Sequence, residues 1–215
     1  MDFNERMAAE EHSISSAKDE VLIENKQRQI VQGACKLFFT KGYHPTTIRE
    51  IAEACDMSMG QLYHYISSKD DVLYLVHKHF HQIMNDFIKN HENNQNDDPV
   101  DRFIDFLKAN LVFINENREL IQFILTETKY LKKDYLKLVL EMEQKYTIDY
   151  YRQLLQNINQ VIPVTGDLEV LASIIAYVTP FLPMRGWTVK DKSTEDIDKY
   201  IIDFILKGLG LEVNK

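Results

Sequence analysis

Only two cysteines occur in 215 residues, and Cys35 and Cys55 each stand among helix-patterned apolar neighbours. With no second pair beside them they build neither a disulfide framework nor a zinc knuckle. The expectation is a reducing, cytoplasmic setting with no bound metal and no other cofactor. Proline (5) and glycine (7) are scarce as well, which disfavours a turn-rich β fold. No apolar run approaches the roughly 18 residues of a membrane span, and the start, MDFNERMAAEEHSISSAKDE, lacks the apolar centre of an export signal. Residues 91–215 contain no phosphate-binding glycine loop, nucleophile motif or HExxH pair, so no catalytic residue is predicted.

What is abundant is Leu, Ile, Lys, Glu and Gln, with 45% hydrophobic residues overall, the stock of an all-α protein with a substantial core. The net charge of -8 argues at first against a nucleic-acid partner. Its distribution reverses that. Residues 1–23 carry -4, residues 24–90 carry +1 and residues 91–215 carry -5, so the middle segment alone is not acidic.

Residues 1–23 read as an N-terminal extension of weak amphipathicity. A first helix is predicted from Glu24 to Lys41, with Ile30, Ala34, Leu37 and Phe38 on one face and Gly42 ending it. After the turn at Tyr43, His44 and Pro45, Thr46 or Thr47 can cap a short helix reaching Ala54, and Glu50 completes a capping box with Thr47. Asp56 must then take a tight bend, and Ser58 caps a second short helix reaching about Ile66. Two helices of about two turns joined by such a bend outline a helix-turn-helix. Ile48, Ile51, Ala52, Cys55, Met57, Leu62 and Tyr65 or Ile66 would face inward. Ser68 caps a longer helix, 69–90, and the polar tract HENNQNDDP marks a domain boundary before further helices near 99–115, 118–131, 133–161, 167–184 and 194–210.

The segment MSMGQLYHYISSK carries a glycine inside a helix, where it costs about 1 kcal/mol relative to alanine. If Leu62 and Ile66 point inward, then Met59, Gly60, Gln61, Tyr63, His64 and Ser67 lie on or near the outer surface, and the capping Ser58 joins the candidate DNA contacts. In a helix-turn-helix that surface enters the major groove. Gly60 then lets the backbone approach the duplex, and Gln61 can pair with adenine N6 and N7. Tyr63 and His64 suit phosphates or thymine methyl groups, Lys69 supplies a cation, and Thr47 at its helix start can hold a phosphate.

The stretch GYHPTTIREIAEACDMSMGQLYHYISSKDDVL resembles the N-terminal region of TetR-family transcriptional repressors, with the patterns T-T-x-x-x-I-A and S-x-G-x-L-Y in order and a trailing lysine at Lys69. Three positions depart from the family: Asp56 for Gly, Met59 for Lys and Ile66 for Phe. The resemblance implies a three-helix DNA-binding domain within residues 24–90, a ligand-binding and dimerisation domain over 91–215, and a homodimer on a double-stranded, palindromic operator. A fainter similarity, carried by Glu127, Arg185, Trp187 and Tyr200, points to a subgroup that answers to acyl-CoA thioesters. It implies a long apolar cavity with Arg185 near the CoA phosphates.

Aromatic residues recur at helical spacing through the second half, and most must fill a core. In a sensor of small molecules some would line a cavity, and the candidates are Phe106, Phe123, Tyr146, Tyr150 and Tyr177, with Asn110, Thr126, Glu127 and Arg185 orienting the ligand. Pro180 and Pro183 should kink or end the helix from Asp167. That helix, with Leu171, Ile174, Ile175 and Val178, and the last, with Ile197, Ile201, Ile205 and Leu209, would form the dimer interface by resemblance. His77 and His81 share a helix face from which His79 points away, leaving two ligands, short of a zinc site; a solvated face is the plainer reading. Two rival readings stay open: a helical protein-interaction module, and an enzyme acting on its ligand, which would need a buried, perturbed acid or base beside a nucleophile.

Overall fold

The computed structural model describes residues 3–92 and 98–211, with side chains from Val21 onward apart from Glu92. Among these residues the secondary structure is helical throughout. The chain divides into two compact units, Met1–His79 and Phe80–Lys215.

The first unit holds α1 (Phe3–Lys41), α2 (Ile48–Ala54), α3 (Met59–Tyr63) and the start of α4 (Lys69–Glu92). The helix predicted from Glu24 thus begins at Phe3: residues 3–23 contain no proline or glycine to stop it. Gly42, at φ 87°, ends it as expected. Thr47 and Glu50 form the predicted capping box, and Asp56, at φ 53°, is the one described non-glycine residue in the left-handed region. α3 stops three residues short of Ile66, because the amide of Tyr65 folds back onto the carbonyl of Leu62. Ile30, Ala34, Phe38, Ile51, Ala52, Cys55, Leu62 and Ile66 are buried together. The close crossing of α1 and α2 is made by Gly33, where a Cβ would lie 2.5 Å from the Cys55 sulfur and 3.1 Å from the Ala54 carbonyl.

The second unit contains the remainder of α4, then α5 (Pro99–Glu116), α6 (Arg118–Glu127), α7 (Lys133–Glu143), α8 (Asp149–Asn159), α9 (Leu168–Val178), α10 (Phe181–Arg185) and α11 (Thr194–Gly208). The single helix predicted over 133–161 is interrupted by a π-helical turn at Gln144–Ile148. Such a turn inserts a residue and rotates the faces before and after it, and these turns recur at functional sites. Pro180 ends α9 as predicted, and the chain bends by 53° into α10. The core gathers Phe103, Phe106, Leu107, Leu111, Leu155 and Ile158, with Phe106 edge-on to Tyr150 and Tyr151.

Much of the apolar stock assigned to a dimer interface belongs to this core instead. Ile175, Ile197, Ile201, Ile205 and Leu209 are buried within the chain, because the inward face of each helix is the one its own neighbours cover. Of that stock Ile174 stays uncovered, and with it Val170, Tyr177 (85% exposed), Trp187, Tyr200 (74%) and Phe204 on α9, α11 and the segment between them. His77 and His81 are buried rather than solvated, and no group of three or more metal-binding side chains is placed to hold an ion among the described residues.

Candidate functional site

On α3 the outward residues are those the spacing selected. Ser58, Met59, Gly60, Gln61, Tyr63 and His64 are exposed while Leu62 is fully buried. Nothing lies within 4 Å of the position a Gly60 Cβ would take, so the bare backbone faces open space. The His64 ring stands perpendicular to Tyr65 at 5.2 Å.

Three of these residues are held differently from the expectation. Gln61 is the N3 partner of a second capping box: its Oε1 accepts from the Ser58 amide at 2.9 Å, and its own amide donates to Ser58 Oγ at 3.2 Å. Its side chain therefore starts from a held rotamer, with one oxygen lone pair engaged. The signal was in the sequence, since S-x-x-Q is a capping-box spacing. Thr47 is likewise a cap, donating through Oγ1 to Glu50 at 2.7 Å. Lys41 and Thr47 hold the Glu50 carboxyl down to about 2.

Lys69 is the most firmly held of the three. Its ammonium donates to the carbonyl oxygens of Tyr43, His44 and Thr46, each at 3.0 Å, and lies over the Tyr43 ring. It satisfies a tight loop rather than reaching outward as a free arm, because three converging carbonyls outcompete solvent for an ammonium with three donors. The cation passed over is Arg49 in the first turn of α2. Its side chain is 82% exposed and pairs with Glu53 at 3.1 Å, a surface pair that exchanges readily.

The second unit contains a cavity of about 460 Å³ walled by Leu125, Ile148, Ala176, Phe181 and Met184, with Tyr177 and Arg185 also on its wall. That volume falls in the range of small-molecule sites. A second, inner cavity of about 70 Å³ adjoins it, sharing Leu125, Glu143, Ala176 and Pro180. Asn110, Thr147, Tyr151 and Thr179 line the inner one. Of the predicted ligand residues, Asn110 reaches the inner cavity and Tyr177 and Arg185 the outer. Phe106, Phe123 and Tyr150 are core residues lining neither. Thr126 is exposed and bonds back to the Gln122 carbonyl at 2.9 Å, Glu127 stays at the end of α6, and Lys145 covers the Tyr146 ring at 5.3 Å. Periodicity finds such residues but cannot tell a cavity wall from a core. Glu143, Thr147 and Tyr151 were missed because the π turn that brings them round leaves no trace in the helical spacing.

A groove of about 770 Å³ runs along α11, walled by Val178, Phe181, Tyr200, Ile201 and Phe204, with Lys192, Asp203 and Lys207 at its edge.

Residues 30–74 match the family described as Bacterial regulatory proteins, tetR family. The HTH-type transcriptional regulator HbdR of Aromatoleum sp. (strain CIB) is 40% identical over 72 residues, 34% of this chain and 31% of HbdR. The HTH-type transcriptional regulator YuxN of Bacillus subtilis (strain 168) is 28% identical over 196 residues, 87% of this chain and 65% of YuxN. The alignments thus span less than two thirds of either relative. Among solved structures, a regulatory protein in the tetR family from Rhodococcus RHA1 superposes with a TM-score of 0.75 at 20% identity, covering 87% of this chain and 98% of that one. AibR, in complex with isovaleryl coenzyme A and operator DNA, does so at 0.67 and 20%, covering 87% and 100%. Residues 30–74 thus carry the helix-turn-helix of the tetR family of bacterial regulatory proteins, and the chain as a whole shares its fold with solved structures of that family.

Proposed function

We propose that the chain is a ligand-responsive, DNA-binding transcriptional repressor, a cytoplasmic homodimer that grips a palindromic operator and releases it when an apolar effector enters the second domain. The observation that carries this reading is the bare, exposed backbone at Gly60 on a capped helix whose other outward residues are Met59, Gln61, Tyr63 and His64. Residues 24–90 serve as the DNA-binding domain with its connecting helix, and residues 91–215 as the ligand-binding and dimerisation domain. Thr47, Ser58 and Arg49 meet phosphates; Gly60, Gln61, Tyr63 and His64 meet base edges and the adjoining backbone.

The uncovered apolar face of α9 and α11 supports the dimer, since patches of this kind mark interaction surfaces. Two subunits then present two α3 helices to half-sites a helical turn or more apart. The effector acts by its differential affinity for a dimer whose α3 helices no longer match those half-sites. An acyl-CoA is the effector class we favour: the 460 Å³ cavity is apolar with Arg185 at its wall, and AibR has been seen with isovaleryl coenzyme A.

A gel-shift against the DNA upstream of the protein's own gene, repeated with a long-chain acyl-CoA, tests the reading. A retarded complex of two chains per site that dissolves on adding the thioester is the expected result. A chain that leaves every duplex unshifted at low salt contradicts it.

A further inference from the structure

The two adjoining cavities differ in chemistry. The outer one is walled by aliphatic and aromatic side chains, whereas the inner one ends on Asn110, Glu143, Thr147, Tyr151 and Thr179. At about 70 Å³ the inner cavity has room for roughly two water-sized groups, so it takes the end of a ligand and not its body. Part of its polar wall is already paired: the Tyr151 hydroxyl donates to Asn110 Oδ1 at 2.8 Å. Three groups are left. Glu143 lines both cavities and keeps 40% of its side-chain surface accessible. Thr147 Oγ1 on this wall and His81 Nδ1, which lines neither cavity, are buried atoms with no hydrogen-bond partner, and His81 Nδ1 stands 3.8 Å from Glu143 Oε2, too far for a direct bond. Buried polar atoms left unpaired at a cavity wall are expensive unless something polar comes to meet them.

We propose that Glu143, with Thr147 and His81 beside it, anchors the inner end of the effector and selects an apolar ligand whose inner end carries a hydrogen-bond donor, hydroxyl or ammonium. A carboxylate there would face Glu143 with no cation inside the inner cavity to balance it; Arg185 lies on the outer wall alone. Within the acyl-CoA class favoured above, this selects a chain whose far end carries a hydroxyl or amine; a plain methyl end binds more weakly because it leaves Glu143 and Thr147 unmatched. Burial disfavours charge here, raising the Glu143 carboxyl and lowering the His81 ring to about 4; a donor placed against Glu143 favours its ionised, accepting form. The assignment rests on the outer cavity being the effector site.

Calorimetric titration of the full chain with 1-octanol, octylamine, 1-methoxyoctane and octanoate tests it. These share an apolar body and differ at the end. Octanol or octylamine should bind about tenfold or more tighter than the ether and octanoate, as one charge-assisted hydrogen bond in a dry site would give. Tight octylamine alone identifies the ammonium; octanol alongside it identifies the hydroxyl. Glu143→Leu should erase the difference while leaving the ether's affinity in place, and Thr147→Val should narrow it. Equal binding of all four in the wild type, unmoved by Glu143→Leu, overturns the anchor and leaves the site standing. No binding by any probe, with Ala176→Trp in the cavity wall changing nothing, overturns the site and the anchor together. Circular dichroism of each variant guards against reading an unfolded chain as a result.

Discussion

The ammonium of Lys69 sits 4.5 Å from the centre of the Tyr43 ring and donates to the Tyr43 carbonyl oxygen at 3.0 Å. Together with its bonds to His44 and Thr46, this ties the start of α4 to the loop between α1 and α2.

Lys69→Met should therefore destabilise the first unit by about 2 kcal/mol, since three carbonyls lose a charged donor at once. Urea unfolding followed by circular dichroism measures it. Lys69→Arg should recover only part, because a planar fork does not reach three converging oxygens as an ammonium does. If Lys69 were instead a phosphate contact, Lys69→Met would leave stability unchanged and flatten the salt dependence of DNA binding.

Gln61 has two jobs that substitution can separate. Gln61→Ala removes the side-chain acceptor of the Ser58 amide and should cost about 0.5–1 kcal/mol of stability along with affinity for the operator. Gln61→Glu preserves the capping acceptor and should hold stability within a few tenths of a kcal/mol, yet place a carboxylate against the duplex and abolish binding. Thermal melts and gel-shifts on the same preparations give both numbers.

The parts legible from residue spacing are those set by local rules. Thr47 with Glu50, Asp56 in the left-handed bend and Leu62 facing inward follow from capping chemistry and period alone, and the structure has each of them. What eluded the spacing is non-local. Gly33 is needed only because Cys55, 22 residues later, presses against it. Lys69 was taken for a surface cation because its three carbonyl partners lie more than twenty residues upstream. Glu143 and Thr147 come to the cavity wall through a π turn that no helical period encodes, while Phe106 and Tyr150, chosen on the same aromatic pattern, serve the core.

His81 makes stability depend on pH. Its ring is buried, which lowers its value from 6.5 to about 4. Between those values the unfolded chain takes up a proton that the folded chain refuses, so the contribution is complete above about 6.5 and is lost as pH falls toward 4. The loss amounts to about 3 kcal/mol. Glu143, raised by burial on the facing wall, acts in the opposite sense and offsets part of it. Denaturant unfolding at intervals from pH 7 to 4 should show a shallower acid decline for His81→Gln than for the wild type. Identical declines would mean that the imidazole is hydrated in the folded chain.

The central claim is that α3 exposes bare backbone so that a duplex can lie against it, and Gly60→Ala tests this with one methyl group. Nothing within 4 Å obstructs the added Cβ, so the variant should be more stable by about 0.5–1 kcal/mol, as alanine is in a helix. Operator affinity, measured by fluorescence anisotropy at fixed salt, should nevertheless fall about tenfold or more, as the methyl holds the backbone off the bases. A variant that is stabilised and binds the operator as tightly as the wild type would contradict the account.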